Sequence, residues 1–422
     1  MLETVQPILG LAALVVLAWL LSENRRGWSW RLVAAGLGVQ IALAALALSL
    51  PAVRDAIGAV NGLVLALDNA SKAGTSLVFG FLGGGPLPFE ESYPGAAFML
   101  AFRALPIVML LSALSAVLWH WRVMPMVIRR LAVGLRASLR IDGPVALGAA
   151  ANIFVGMVEA AILIRPHLSR MSCSDLFVTM TVGLTTLAGT VLVLYATFLQ
   201  GVIVNAAGHL LVASLISAPA AIVIARLMVP AESADDPGDG PALEDGFADS
   251  RRMYDSTMDA IVQGTQDGLR LLLNIISMLI VFVGMVALVN QLLGLFPDLW
   301  GDPVSLQRIL GWVLAPVAWL IGIPWSEAVS AGSLIGTKIV LNELIAFLDL
   351  AATGDSLSER SRAILLYALA SFANFGSVGI MLAGMIAMAP DRKSDLIGLG
   401  LKSLVAGTIA TCMTGAVVAL VI

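Results

Sequence analysis

Two carboxylates stand in the middle of apolar runs: Glu159 in "NIFVGMVEAAILIRP" (152–166) and Glu343 in "GTKIVLNELIAFLDL" (336–350). A charge at the centre of a bilayer costs at least about 2.5–3.5 kcal/mol, so such a group pairs, lines a water-filled cavity or marks a pathway. Each acid has a basic neighbour that would neutralise it, Arg165 for Glu159 and Lys338 for Glu343. The alternative is recognition: a carboxylate accepts a strong hydrogen bond from a neutral hydroxyl. Amides and hydroxyls accompany both acids. Asn152 lies seven residues before Glu159 and shares its face if that stretch is one helix. Its amide either satisfies a broken backbone or offers an oxygen to a cation. Thr186 and Thr190, four apart, also share a helical face, where each has the competing option of bonding its own i−4 carbonyl. Asn374 and Ser377, three apart, either support close helix packing or join Asn342 and Glu343 in a polar site.

The elements that position these residues follow from composition. The chain has 422 residues, 59% hydrophobic and only 12% charged, with a mean hydropathy of +0.95. Soluble domains carry about 25% charged residues, so this is an all-α integral membrane protein. A span needs about 20 apolar residues. Eight transmembrane helices are expected, at 4–22, 32–50, 97–119, 175–199, 202–228, 268–292, 361–389 and 395–421. The stretch 51–74 has helical apolar spacing with charges at its edges and reads as an interfacial helix. Residues 231–250 form an acidic linker rich in Gly and Pro.

Basic residues set the orientation. Arg25, Arg26 and Arg31, then Arg122, Arg129, Arg130, Arg136 and Arg140, then Arg251 and Arg252, then Arg392 and Lys393 all fall on one side if eight spans alternate. That side is the cytoplasm, so both termini face outward. The first span begins with Glu3 rather than a basic segment and reads as a retained span, not a cleaved signal.

Two apolar regions, 144–168 and 323–350, enter and leave on the same side and read as re-entrant helical hairpins. One carries Glu159 and precedes a span with "TTLAGT" (185–190); the other carries Glu343 and precedes a span with "FANFGS" (372–377). The hairpins start on opposite sides, so the repeat is inverted. Inverted repeats with interrupted helices put substrate and ion sites near the midplane.

Other chemistries are excluded. No basic tail or arginine patch suits nucleic acid. Cys173 and Cys412 lie far apart in apolar runs and read as packing residues. His120 belongs to an interfacial aromatic belt, and His167 and His209 lack partners at metal spacing. Neither a zinc-binding helix motif nor a nucleophile elbow occurs, so an intramembrane enzyme is not expected.

With these residues in view, the chain resembles bacterial concentrative nucleoside transporters over nearly its whole length. The resemblance is carried by "AANIFVGMVEA" with "IRP", "MTVGLTTLAGTVL", "AGSLIGTKIVLNELIAFLDL" and "ALASFANFGSVGI", in family order and spacing. It implies eight spans, two re-entrant hairpins and interfacial helices assembled as a homotrimer. It implies that Glu343, Asn374 and Ser377 bind ribose hydroxyls, that Phe372 lines the ribose, and that Glu159 acts near the base partly through water. It implies a sodium site made by Asn152, the Val155 backbone, Thr186 and the Leu187 backbone, with no other cofactor. It further implies an elevator-like movement. The scaffold would be 1–143 with 230–300, and the transport part 144–229 with 301–422.

One departure affects specificity. The family usually has Gly-Gln-Thr-Glu or Gly-Gln-Ser-Glu where this chain has Gly156-Met157-Val158-Glu159. Met157 and Val158 cannot read a base edge by hydrogen bonds, so a base pocket tolerant of purines is expected. Proton coupling through one of the acids and a passive channel for small polar solutes are the rival readings. Accumulation against a gradient separates a channel from a symporter.

Overall fold

Apolar runs in this chain become helices, and the helices break where Gly, Asn, Ser and Thr cluster. The computed structural model describes residues 2–27, 29–92, 96–139, 141–231, 253–298, 301 and 303–422. The acidic linker and Arg251 and Arg252 therefore lie essentially outside the described residues, as does Arg140. Among the described residues all regular structure is helical.

The first third contains α1 (Leu2–Leu20), α2 (Trp30–Ser49), α3 (Pro51–Phe79), α4 (Leu100–Arg103), α5 (Ile107–His120) and α6 (Val123–Leu139). Helix α3 buries Ile57, Val64, Ser71 and Thr75, a single narrow stripe, and exposes most other positions. That pattern suits a helix lying on a surface rather than within a bundle. Helix α6 was not anticipated. It buries Ile128, Ala132, Leu135 and Leu139 and carries Arg129, Arg130 and Arg136, so its charges conceal a regular amphipathic repeat.

Then come α7 (Gly143–Asn152), α8 (Met157–Leu163), α9 (Arg165–Leu168), α10 (Cys173–Thr185), α11 (Gly189–Phe198), α12 (Ala206–Met228) and α13 (Thr257–Leu293). The last part contains α14 (Leu306–Leu320), α15 (Trp325–Val340), α16 (Glu343–Thr353), α17 (Glu359–Leu369), α18 (Phe375–Met388) and α19 (Lys393–Val421). Among the described residues six stretches are long and apolar enough to cross a membrane, the broken pairs α4–α5 and α10–α11 among them. Helices α14 and α15 are bent by 116° at 321–324. Gly322 makes that bend: its φ is +109°, and a Cβ there would meet the Ala419 Cβ at 2.7 Å. Helix α14, like α6, was unanticipated.

Four breaks matter. They lie at 153–156 between α7 and α8, 186–188 between α10 and α11, 341–342 between α15 and α16, and 370–374 between α17 and α18. They correct two expectations. Asn152 ends one helix while Glu159 belongs to the next, so they do not share a helical face. Thr186 is the C-cap of α10 and Thr190 lies in α11, so they share none either.

Polar bonds gather at the two ends of the helix bundle. At one end Arg226 pairs with Asp175, Arg392 donates to the Met171 carbonyl at 2.6 Å, Lys402 pairs with Glu23, and the Glu23 amide donates to Met228. This gathers the C-termini of α1 and α12 with the N-termini of α10 and α19. At the other end Gln6 donates to the carbonyls of Trp319 and Ile323, Arg360 donates to Ala419, and Glu327 accepts from Ser358.

Packing divides the helices into two groups. Helices α1 and α2 lie on α12 and α19. Inside, Gln40 donates to Thr414 at 3.1 Å, and Thr414 bonds Ser217 at 3.1 Å. A Cβ on Gly36 would meet Val223. Helix α5 instead packs along α13, where Gly264 and Gly268 let the backbones of Ser112, Ala113 and Met109 approach. Gly10 is the tightest approach of α1: a Cβ there would lie 1.8 Å from the Leu320 carbonyl oxygen. Gly10→Ala is expected to destabilise by about 1–3 kcal/mol or more. A thermal midpoint of the detergent-purified protein checks this, with Gly58→Ala, where nothing lies within 4 Å, as the neutral control.

Candidate functional site

The site is built where helices start in the interior. Asn342 caps α16, accepting from the Ile345 amide at 2.9 Å, and so delivers Glu343 at the first helical position. Asn374 caps α18 in the same way, its Oδ1 accepting from the Ser377 amide at 2.7 Å. That bond fixes the orientation of the amide, whose Nδ2 donates to Glu343 Oε2 at 2.8 Å. From α11, the Tyr195 hydroxyl donates to Glu343 Oε1 at 2.6 Å. Glu343 is only 5% exposed, and the positive ends of two helices favour its negative charge. Phe372 is half-buried in the break before Asn374 and its carbonyl accepts from the Asn374 amide at 2.8 Å. The structure thus brings Glu343, Asn374, Ser377 and Phe372 together. An ionised carboxylate has about four acceptor positions, and two are used by Tyr195 and Asn374.

Tyr195 was missed. It sits in "VLVLYATFLQ", where it reads as an aromatic packing residue, and it does stack on Phe347 with ring centroids 5.1 Å apart. The available signal was a phenol deep in a span, away from the interfacial belt. Neither neutralising ion pair, the alternative to a role in recognition, forms among the described residues. Lys338 donates to the Ala368 carbonyl at 3.1 Å and to Thr411 Oγ1 at 3.0 Å, not to Glu343. Glu159 makes no ion pair with Arg165 among the described residues.

Glu159 is exposed and stands at the third position of α8, with its carboxylate folded over the N-cap Gly156. A Cβ on Gly156 would lie 2.2 Å from Glu159 Oε2, so glycine is what admits the acid there. The residues between them wedge the tip into neighbouring helices: Met157 lies against Gly183 of α10 and Val158 against Gly384 of α18. Gly384 is about 15 Å along the α18 axis from Asn374. The hairpin tip, through Val158, and the Glu343–Asn374 pair therefore meet α18 at two levels.

The oxygens expected to hold a cation lie beside this tip, at the end of α10. Asn152 Nδ2 donates to the Gly148 carbonyl at 2.9 Å, while Oδ1 is buried without a partner. That oxygen faces the last turn of α10, where a Cβ on Gly183 would lie 3.6 Å away. Thr186 Oγ1 donates to Val182 at 3.0 Å, leaving its lone pairs free of that bond. The Leu187 amide donates to Ser214 Oγ at 2.9 Å, and Ser214 returns a long 3.4 Å bond to the Leu187 carbonyl. The Phe154 carbonyl accepts from Gly189 at 2.9 Å and ties the tip, which includes Val155, to this break. No cluster of three or more His, Cys, Asp or Glu that could hold a metal occurs among the described residues. Neutral hard oxygens suit a monovalent hard cation. His209 Nδ1 bonds the Tyr367 hydroxyl at 2.8 Å, a structural pair.

Interrupted helices whose ends meet inside an apolar bundle are a feature of secondary transporters. Models of Na+ dependent nucleoside transporters match residues 9–82 (N-terminal part) and 209–419 (C-terminal part), and a nucleoside-recognition gate model matches 101–201. The nucleoside permease NupC of Helicobacter pylori is 33% identical over 98% of this chain and 97% of its own. The uncharacterized transporter YutK of Bacillus subtilis is 36% identical over 97% of both. The structure of CNTnw in an inward-facing, substrate-bound state superposes with a TM-score of 0.90 at 33% identity, over 99% of this chain and 98% of that one. The chain belongs to the concentrative nucleoside transporter family, and its relatives are transporters, not enzymes.

Proposed function

We propose that this protein takes up nucleosides by symport with sodium. The observation that carries this reading is the Glu343 carboxylate. It is held by Tyr195 and Asn374 at the meeting of two helix N-termini, and two acceptor positions remain for adjacent sugar hydroxyls. Ser377 and Phe372 complete the ribose end. Glu159, Met157 and Val158, on the N-cap Gly156, form the base end. The unpartnered Asn152 oxygen, with the Val155 backbone, Thr186 and the Leu187 backbone, supports a sodium site rather than a proton site. Ion binding there would order the tip of the first hairpin and raise nucleoside affinity, which is thermodynamic coupling. Proton coupling is the second reading, favoured by Glu159 standing free of an ion pair among the described residues.

We read the chain as eight spans with two hairpins, α7–α8 and α15–α16. The bond clusters at the two bundle ends support this. They put the start of α10 and the start of α17 at opposite ends, as an inverted repeat requires. Both termini then face the periplasm across a cell inner membrane. The packing supports one revision of the expected partition: α1 and α2 travel with the transport part, because they are bonded to α12 and α19, while α5 and α13 form the scaffold. The exposed apolar side of α13, with Ile280, Val281, Met285 and Leu288, suits lipid or the homotrimer interface that the family implies.

The test is accumulation of radiolabelled nucleosides in proteoliposomes under an imposed sodium gradient or an imposed proton gradient. Accumulation driven by sodium alone is expected. Uptake that stops at equilibrium would leave a passive channel. In the same assay adenosine and inosine are expected to compete with labelled uridine within about tenfold of uridine itself, because Met157 and Val158 leave no polar group unpaired by a purine. Inhibition by pyrimidine nucleosides alone would overturn the tolerant pocket.

A further inference from the structure

Lys338 is fully buried and its ammonium has no carboxylate within ion-pair distance among the described residues. Breaking up a buried charge pair normally costs several kcal/mol, so an unpaired buried lysine needs another explanation. Its two partners are oxygens: the Ala368 carbonyl, in the last turn of α17, and Thr411 Oγ1 on α19. The last carbonyls of a helix carry partial negative charge and lack intrahelical partners. Lys338 thus sits as a cation at the C-terminal end of a broken helix.

The place is defined by the internal repeat. In the first half, an amphipathic helix (α6) leads into a hairpin arm (α7), the tip, a second arm (α8), a broken span (α10, α11) and a last span (α12). In the second half the same order is α14, α15, tip, α16, α17, α18 and α19. The oxygens assigned to sodium come from the end of the first arm (Asn152), the tip (Val155) and the C-terminal end of the first half-span (Thr186, Leu187), where α12 adds Ser214. In the second half the corresponding elements contribute Thr337 and Lys338 near the end of α15, the Ala368 carbonyl and Ser371 at the end of α17, and Thr411 from α19. Thr337 Oγ1 and Ser371 Oγ are both buried without a partner. The second half therefore brings an ammonium to the carbonyl end of its first half-span, where Ala368 and Thr411 hold it.

We propose that Lys338 is a resident cation, occupying in the second repeat the place that the exchangeable ion takes in the first. Hairpin two, which carries Glu343, is then held in order at all times. Hairpin one is ordered only when an ion arrives. The transporter accordingly carries one exchangeable cation per cycle. This rests on the sodium reading for the count of ions, but the tethered cation is testable without it.

Lys338→Ala removes four heavy atoms and opens a cavity that ethylammonium fits. Purified full-length protein in proteoliposomes is expected to lose nucleoside uptake at least about tenfold on this change, since a buried carbonyl and hydroxyl lose their partner. Millimolar ethylammonium restores a substantial part of it, and tetramethylammonium, too large for the cavity, restores none. Ethylammonium also raises the thermal midpoint of Lys338→Ala, by preferential binding to the folded state. It leaves the wild type and Lys338→Met unmoved. The thermal arm needs no transported substrate, so it stands even if the protein moves another solute or couples to protons. Lys338→Ala transporting within about twofold of wild type without amine, or folded Lys338→Ala that no small amine stabilises or restores, would overturn the proposal. If Lys338→Ala does not fold, ethylammonium present during its expression and purification decides: recovery of folded, monodisperse protein supports the resident cation, and no recovery overturns it.

Discussion

Glu343→Gln abolishes nucleoside uptake while the protein stays folded and monodisperse: this is the largest effect expected. The carboxylate makes two charge-assisted bonds now and has two more to offer a pair of hydroxyls. Each hydrogen bond to a charged group contributes about 1.5–3 kcal/mol. Losing the charge under two hydroxyls therefore removes about 3–6 kcal/mol, or roughly a hundredfold to ten-thousandfold in affinity. Glutamine also misfits the frame. Asn374 Oδ1 is committed to the Ser377 amide, so Nδ2 must keep facing residue 343 as a donor. The new amide nitrogen then has to turn toward Tyr195, whose hydroxyl must reverse from donor to acceptor. Tyr195→Phe separates the two contributions. It keeps the charge and removes one donor, and about a tenfold weakening is expected. Initial uptake rates and direct binding by calorimetry check both variants. Normal uptake by Glu343→Gln would remove the ribose assignment altogether.

The part of this site that was legible in the sequence is the part that violates the solvent. Glu343, Asn374 and Glu159 stand out because a bilayer penalises them unless they have work to do, and the structure places Glu343 and Asn374 in one hydrogen-bonded pair. Tyr195 did not stand out, because a phenol is at home in an apolar helix until its hydroxyl is traced to a partner 148 residues away. The neutralising pairs do not form, for a related reason. Lys338 lies five residues from Glu343 in the chain, but the break at 341–342 turns the second arm away and sends the ammonium to α17 and α19 instead. The same breaks undid the expected shared faces of Asn152 with Glu159 and of Thr186 with Thr190. Helical periodicity holds only within a helix, and short polar clusters announce a break without giving its direction. Helices α6 and α14 escaped notice because one is dense in arginine and the other holds Pro316. Each nevertheless packs against the hairpin arm that follows it.

The second large effect is expected at Asn152, and it separates ion coupling from sugar binding. Asn152→Leu keeps the volume and removes both polar atoms. The Nδ2 bond to Gly148 is local to α7 and contributes about 1 kcal/mol to folding, so the protein survives its loss. The Oδ1 atom is different. It is buried, makes no bond, and faces the last turn of α10 at Gly183. An unpaired buried acceptor costs about 1–3 kcal/mol, which only a ligand at that point can recover. Removing it is therefore expected to stabilise or leave unchanged the ion-free protein while raising the half-saturating sodium concentration by about tenfold to a hundredfold. Asn152→Asp, which keeps an oxygen and adds charge, is expected to retain sodium activation. Uptake measured against sodium, with choline as the replacement and at two pH values, reads this directly. If leucine leaves the sodium curve where it was, the ion is bound elsewhere. If uptake never depended on sodium but follows pH, the free carboxylate of Glu159 becomes the carrier of the coupling proton, and the orphaned amide oxygen of Asn152 would then have to be satisfied by water.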